Sequence, residues 1–120
     1  MKSKVLIAGA HGMVGRALFS ELKYKKNLKL LTPTKKELNY LNFTEVDKYF
    51  KKKRPNFVYI VAAKVGGILA NKKNKIEFFE NNQLIQMNLF KCINKYKVKK
   101  SIFLGSSCIY PKKAKQPIKE

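Results

Sequence analysis

Four short apolar runs punctuate the chain: Lys4 to Ala8, Leu28 to Leu31, Phe57 to Val61 and Lys100 to Leu104. Each is too short for a helix of its own and nearly continuous in apolar character, as expected of strands covered on both faces. Between them lie stretches with helical periodicity. Met13 to Lys25 carries Met13, Val14, Ala17, Leu18 and Leu22 as one apolar stripe, with Met13 and Val14 expected to pack in the core. Thr44 to Lys53 reads as a helix opened by a Thr44 N-cap, with Glu45 and Asp47 in its first turn. The longest pattern runs from Asn74 or Lys75 to Lys95, with Ile76, Phe79, Leu84, Ile85, Asn88, Leu89 and Cys92 on or near one face. Asn82 and Asn88 lie close to that face, either bonding the helix to a loop or standing on the surface. Alternating strands and helices predict an α/β fold, a Rossmann-like parallel sheet of strand order 3-2-1-4 with helices on both faces.

The first strand runs into three glycines, Gly9, Gly12 and Gly15, in VLIAGAHGMVG. A strand, a glycine turn and a helix in that order form a phosphate cradle, because backbone amides at a helix N-terminus face the ligand and small residues permit close approach. The expected cofactor-binding residues here are Gly9, Ala10, His11, Gly12, Met13, Val14 and Gly15. Strand two ends at Thr32-Pro33-Thr34, where proline stops the ladder. An acid just after this strand suits the ribose hydroxyls of NAD, and a base suits the 2'-phosphate of NADP. Thr34, Lys35 and Lys36 come before the first acid, Glu37, which favours NADP(H).

At the C-terminal ends of strands three and four stand Ala62-Ala63-Lys64-Val65-Gly66-Gly67 and Gly105-Ser106-Ser107-Cys108. Ligands of open α/β sheets sit beyond that edge. The first segment is either a close approach to a ligand or a glycine loop. The second is either a set of proton-transfer and oxyanion groups or a serine-rich turn.

Composition narrows the classes. At 120 residues and 45% hydrophobic content the chain is expected to fold as one domain with a real core. The net charge of +20 raises nucleic acid as a partner. However, the basic residues are almost all lysines spread through helices and turns, with arginine only at Arg16 and Arg54. A solvated lysine-rich surface is therefore favoured over a specific nucleic-acid face. No run is long enough to span a bilayer and none resembles a signal peptide, so a soluble cytoplasmic protein is expected. Cys92 and Cys108 have neither C-x-x-C spacing nor similar contexts, so no disulfide framework and no metal site are expected.

Taken together, GAHGMVG, ELNYLN (Glu37 to Asn42), AAKVGGILAN (Ala62 to Asn71) and FLGSSCIYPKKAKQPIKE (Phe103 to Glu120) resemble the N-terminal part of the GDP-L-fucose synthase family, extended short-chain dehydrogenase/reductases. The resemblance implies NADPH-dependent epimerisation at C3 and C5 of GDP-4-keto-6-deoxy-D-mannose, then reduction at C4 to GDP-L-fucose. Carried over by position, Gly9 to Gly15 hold the pyrophosphate and Lys35 faces the 2'-phosphate. Ala62 and Ala63 border the cofactor, and Leu104, Gly105, Ser106 and Ser107 line the nicotinamide side. Ser106 and Cys108 become the catalytic residues, one bonding the C4 carbonyl oxygen and the other acting as acid/base of the epimerisation.

Departures accompany the likeness. His11 stands where the family usually has arginine, and Pro33 is unusual. The family's Tyr-x-x-x-Lys pair, on the helix after the serine loop, and its later histidine have no counterpart: Tyr110 is followed by Ala114 at the lysine position, and His11 is the only histidine. The expectation is a cofactor-binding portion spanning residues 1–120, with the substrate-binding C-terminal portion absent, strand four an exposed edge and no turnover alone. The family's homodimer is not expected of so short a chain, and a GDP-sugar would be a partner only in a completed site. A stand-alone dinucleotide-binding module and a fragment of another nucleotide-sugar epimerase or dehydratase are the alternatives.

Overall fold

The computed structural model describes residues 1–65, 68–106 and 109–119, with the side chains at 68 and 71 excepted. The elements alternate as β1 (Ser3–Ala8), α1 (Met13–Leu22), β2 (Leu28–Leu31), α2 (Phe43–Lys53), β3 (Phe57–Ile60), α3 (Ile68–Lys73), α4 (Lys75–Lys95) and β4 (Lys100–Phe103). The strands form one parallel sheet, with Leu6 beside Leu31, Ala8 beside Ile60, and Ile60 beside Phe103.

The α/β class is as read from the pattern, but the strand order is β2-β1-β3-β4 rather than 3-2-1-4. The side chains explain the correction. β1 and β3 are the runs most completely buried, and a strand covered on both faces belongs in the middle of a parallel sheet. β2 is only LKLL, with Lys29 exposed, and takes an edge. No strand forms between Leu31 and Phe43 to occupy the place outside β2. That stretch is tied into turns, with Glu37 Oε2 accepting from the Thr34 amide (2.8 Å) and hydroxyl (2.9 Å).

The path from β1 to β2 runs one way across the sheet, and the steps to β3 and β4 run the other. Right-handed crossovers therefore put α1 on one face and α2 with α4 on the opposite face. The core divides accordingly. Leu6, Ala8, Val58 and Ile60 pack with Val46 and Phe50 of α2 and Leu89 and Cys92 of α4. Val5 and Ile7 pack with Leu18 and Leu22 of α1. On that second face lies a groove lined by Leu22, Leu28, Phe57, Tyr59, Lys100 and Ile102.

Three further expectations change. Met13 and Val14 are not core residues: they are 87% and 42% exposed, because α1 packs through the face carrying Gly15, Leu18 and Leu22, and Met13 and Val14 lie off that face. The N-cap of α2 is Asn42, whose Oδ1 accepts from the Glu45 amide at 3.3 Å, so Thr44 already lies within the helix. Residues 68–73 form the short helix α3, which the sequence pattern did not single out. β4 is an edge strand exposed along its length, as expected.

Candidate functional site

Parallel strands bring the loops that follow β1, β2, β3 and β4 to one edge. The face covered by helices changes between α1 and α2, beside β1, and it is there that an open α/β sheet leaves a crevice. The glycine loop lies at this position. Gly9 has φ +98°, a conformation that L side chains rarely adopt, and a Cβ there would lie 2.6 Å from the Ala62 nitrogen. At Gly15 a Cβ would stand 2.0 Å from the Gly9 carbonyl oxygen, so only glycine lets α1 press against the end of β1. Gly12 is roomier, with its nearest neighbour, the same oxygen, at 3.5 Å.

Gly12 caps α1 without a side-chain hydrogen bond, and the first turn carries no acid. The opening amides of a helix have no intrahelical acceptor, so this terminus presents donors and positive dipole outward. The loop is braced internally: the Gly12 amide donates to the Gly9 carbonyl at 3.1 Å and the Arg16 Nε donates to the His11 carbonyl at 2.9 Å. The His11 ring Nε2 lies 3.1 Å from the Thr32 carbonyl, tying the loop to the end of β2. Ala10 is buried, whereas His11, Met13 and Val14 stand exposed around the turn.

Lys35 is exposed on the turn beyond β2. The nearby acid is already engaged, since hydrogen bonds from the Thr34 amide and then the Thr34 hydroxyl hold the Glu37 carboxyl below the usual carboxylate range. After β3, Ala62 abuts Gly9 and Ala63 is exposed. After β4, the Leu104 amide donates to the Ile60 carbonyl at 3.3 Å, which keeps that chain beside the end of β3. Leu104, Gly105 and Ser106 are exposed, and the Ser106 carbonyl accepts from the Ile109 amide at 3.2 Å. Of the expected site residues, Gly9 to Gly15, Ala62 and Ala63, and Leu104 to Ser106 thus share one edge of the sheet. Ser107 and Cys108, and Gly66 and Gly67 of the other loop, lie outside the described residues.

Asn82 on α4 is one residue that the sequence left between two roles. Its carboxamide bonds both backbone groups of Lys64, making it a helix-to-loop residue. Asn88, also left open, is buried and donates to the Tyr40 carbonyl at 2.9 Å. Among the described residues, no helix is long and apolar enough to cross a membrane, and no three His, Cys, Asp or Glu side chains gather as metal ligands.

Residues 5–120 match the model of the NAD dependent epimerase/dehydratase family. The GDP-L-fucose synthase of Escherichia coli K12 is 44% identical over 119 residues, covering 99% of this chain and 37% of the relative. GDP-L-fucose synthase 1 of Arabidopsis thaliana is 41% identical over 118 residues, covering 98% of this chain and 36% of the relative. Among solved structures, MlghC, a GDP-mannoheptose C4 reductase from Campylobacter jejuni with NADP bound, superposes with a TM-score of 0.92 at 36% identity, covering 98% of this chain and 37% of that one. The chain spans little more than a third of the length of these relatives.

Proposed function

Because the chain belongs to the NAD dependent epimerase/dehydratase family, we propose that these 120 residues are the cofactor-binding part of an NADP(H)-dependent enzyme. Its substrate is a GDP-linked keto sugar, epimerised and reduced as in the GDP-L-fucose synthases. The observation that carries the reading is the glycine cradle. At Gly9 and Gly15 backbone already occupies the space a Cβ would need, and the uncapped N-terminus of α1 opens directly above. A pyrophosphate fits such a place through amide hydrogen bonds and the helix dipole.

Gly9, Ala10, His11, Gly12, Met13, Val14 and Gly15 would hold the pyrophosphate. Lys35 faces the 2'-phosphate; Glu37, its carboxylate spent on Thr34, does not compete for the ribose. NADP is bound in the structure of the Campylobacter jejuni reductase, which supports the choice of cofactor. Ala62 and Ala63 border the cofactor, and Leu104, Gly105, Ser106 and Ser107 line the nicotinamide side. NADPH, when bound, supplies a hydride for the C4 ketone. The Ser106 hydroxyl donates to the ketone oxygen, and the Cys108 thiol exchanges protons at the carbons flanking it. Reduction also calls for the family's Tyr-x-x-x-Lys pair on a helix beyond the serine loop, which residues 109–120 do not contain. Alone, they bind cofactor without consuming it.

Calorimetric titration of the 120-residue protein tests the reading. NADPH is expected to bind saturably and more tightly than NADH, with Lys35→Glu narrowing the difference, and NADPH absorbance is expected to stay constant when the keto sugar is added. Absence of saturable binding, or identical behaviour with inorganic polyphosphate, would overturn it.

A further inference from the structure

A carboxamide presents an N–H donor and a carbonyl acceptor side by side, so an asparagine can pair with both backbone groups of one residue, as a neighbouring strand would. Asn82 does this to Lys64. Its Oδ1 accepts from the Lys64 amide at 2.6 Å and its Nδ2 donates to the Lys64 carbonyl at 3.0 Å, in partly buried surroundings. The same turns of α4 also hold the Lys64 side chain, whose Nζ pairs with Glu77 and lies 5.5 Å from the centre of the Phe78 ring.

The grip comes where the sheet lets go. The Val61 amide still bonds the Ala8 carbonyl, at 2.9 Å, but β1 then turns away at Gly9 and offers no further partner along that line. Ala62 and Ala63 lie between this last ladder bond and Lys64, with the Ala62 backbone packed on Gly9 so tightly that a Cβ could not enter. Two fixed points thus determine where Ala62 and Ala63 run, namely the end of the β1–β3 ladder and the carboxamide on α4. The Lys64–Glu77 pair is solvent-exposed and contributes little to such a fixation. The paired backbone bonds, partly buried, carry it.

We propose that Asn82 is a positioning residue of the dinucleotide site: by clamping the Lys64 backbone to α4 it holds Ala62 and Ala63 against the Gly9 turn and fixes that wall of the cofactor crevice. The inference rests on the cofactor reading above. Asn82 need not touch the cofactor itself, and its effect passes through the loop.

The test compares two asparagines of the same helix in the 120-residue protein. Asn82→Ala is expected to raise the Kd for NADPH about tenfold, the scale of one to two backbone hydrogen bonds. Asn82→Asp, which keeps the acceptor and loses the donor, is expected to fall between. Asn88→Ala removes the bond to the Tyr40 carbonyl, on the β2–α2 connection rather than on the Lys64 segment, and is expected to lower Tm while leaving Kd within about twofold. Hydrogen exchange of the Lys64 amide, measured without cofactor, is expected to accelerate in Asn82→Ala and not in Asn88→Ala. An unchanged Kd in Asn82→Ala, or equal losses of affinity in both alanine variants, would overturn the positioning role. Unchanged Lys64 exchange would show that no clamp exists, whereas a wild-type protein that fails to bind NADPH while its Lys64 amide is protected by Asn82 would bring down the cofactor reading instead.

Discussion

A single added methyl group has different consequences at Gly9, Gly12 and Gly15. At Gly15 the clash is with backbone that cannot swing aside, 2.0 Å away, so Gly15→Ala is expected to cost about 3 kcal/mol or more. Gly12 has extended backbone, φ −79° and ψ 176°, and open space, so Gly12→Ala is expected to stay within about 1 kcal/mol of the parent. Urea denaturation of the two variants checks the contrast, and equal losses would contradict the packing described. The spacing of these glycines was legible because each answers a backbone need. The exposure of Met13 and Val14 was not, since their apolar character fits a core stripe equally well and only the face through which α1 packs, that of Gly15, Leu18 and Leu22, leaves them exposed.

At the scale of elements, α2 and α4 are joined by a polar contact above their shared apolar core. The Asp47 Oδ1 accepts from the Lys95 Nζ at 2.8 Å and from the Tyr96 hydroxyl at 2.9 Å. The Lys95 ammonium first, with help from the Tyr96 hydroxyl, holds the Asp47 carboxyl below its ordinary range, and Asp47 in turn holds Lys95 above its own. A carboxyl lowered on folding contributes stability above its unfolded range, lost as pH falls through the folded value; a raised lysine contributes stability at lower pH, lost as pH rises through its folded value. Tm is therefore expected to be flat around neutrality and to drop in acid, with a shallower acid limb in Asp47→Asn, Glu37 supplying part of what remains. An identical acid limb in the variant would contradict this. The apolar strands were readable because a doubly covered strand has to be continuously apolar. Their order was not, because pairing β3 with β1 depends on which face each crossover helix covers, and no residue states that locally. α3 was missed because six residues hold too little periodicity to register, and Thr44 stood in for Asn42 because both are good caps within two positions of each other.

For the molecule as a whole, β4 is an edge strand with Ile102, Phe103 and the following Leu104 exposed, on a chain of net charge +20. An exposed apolar edge invites pairing with another chain, and like charge opposes it. Salt screens the charge and leaves the edge unchanged. Light scattering is therefore expected to rise when the protein passes from low to physiological salt, and to rise less in Ile102→Lys. A salt-independent signal in both would contradict this balance. The same lysines make weak binding to any polyanion expected, so affinity for NADPH carries less weight than the place where it binds.

That place is read most directly by the backbone amide shifts of the isotope-labelled protein titrated with NADPH. Saturable perturbations are expected at Gly9 to Gly15, at Ala62 and Ala63 and at Leu104 to Ser106. Little change is expected at the lysine clusters Lys51 to Arg54 and Lys95 to Lys100. Perturbations spread over those clusters, with the glycine loop unmoved, would contradict this.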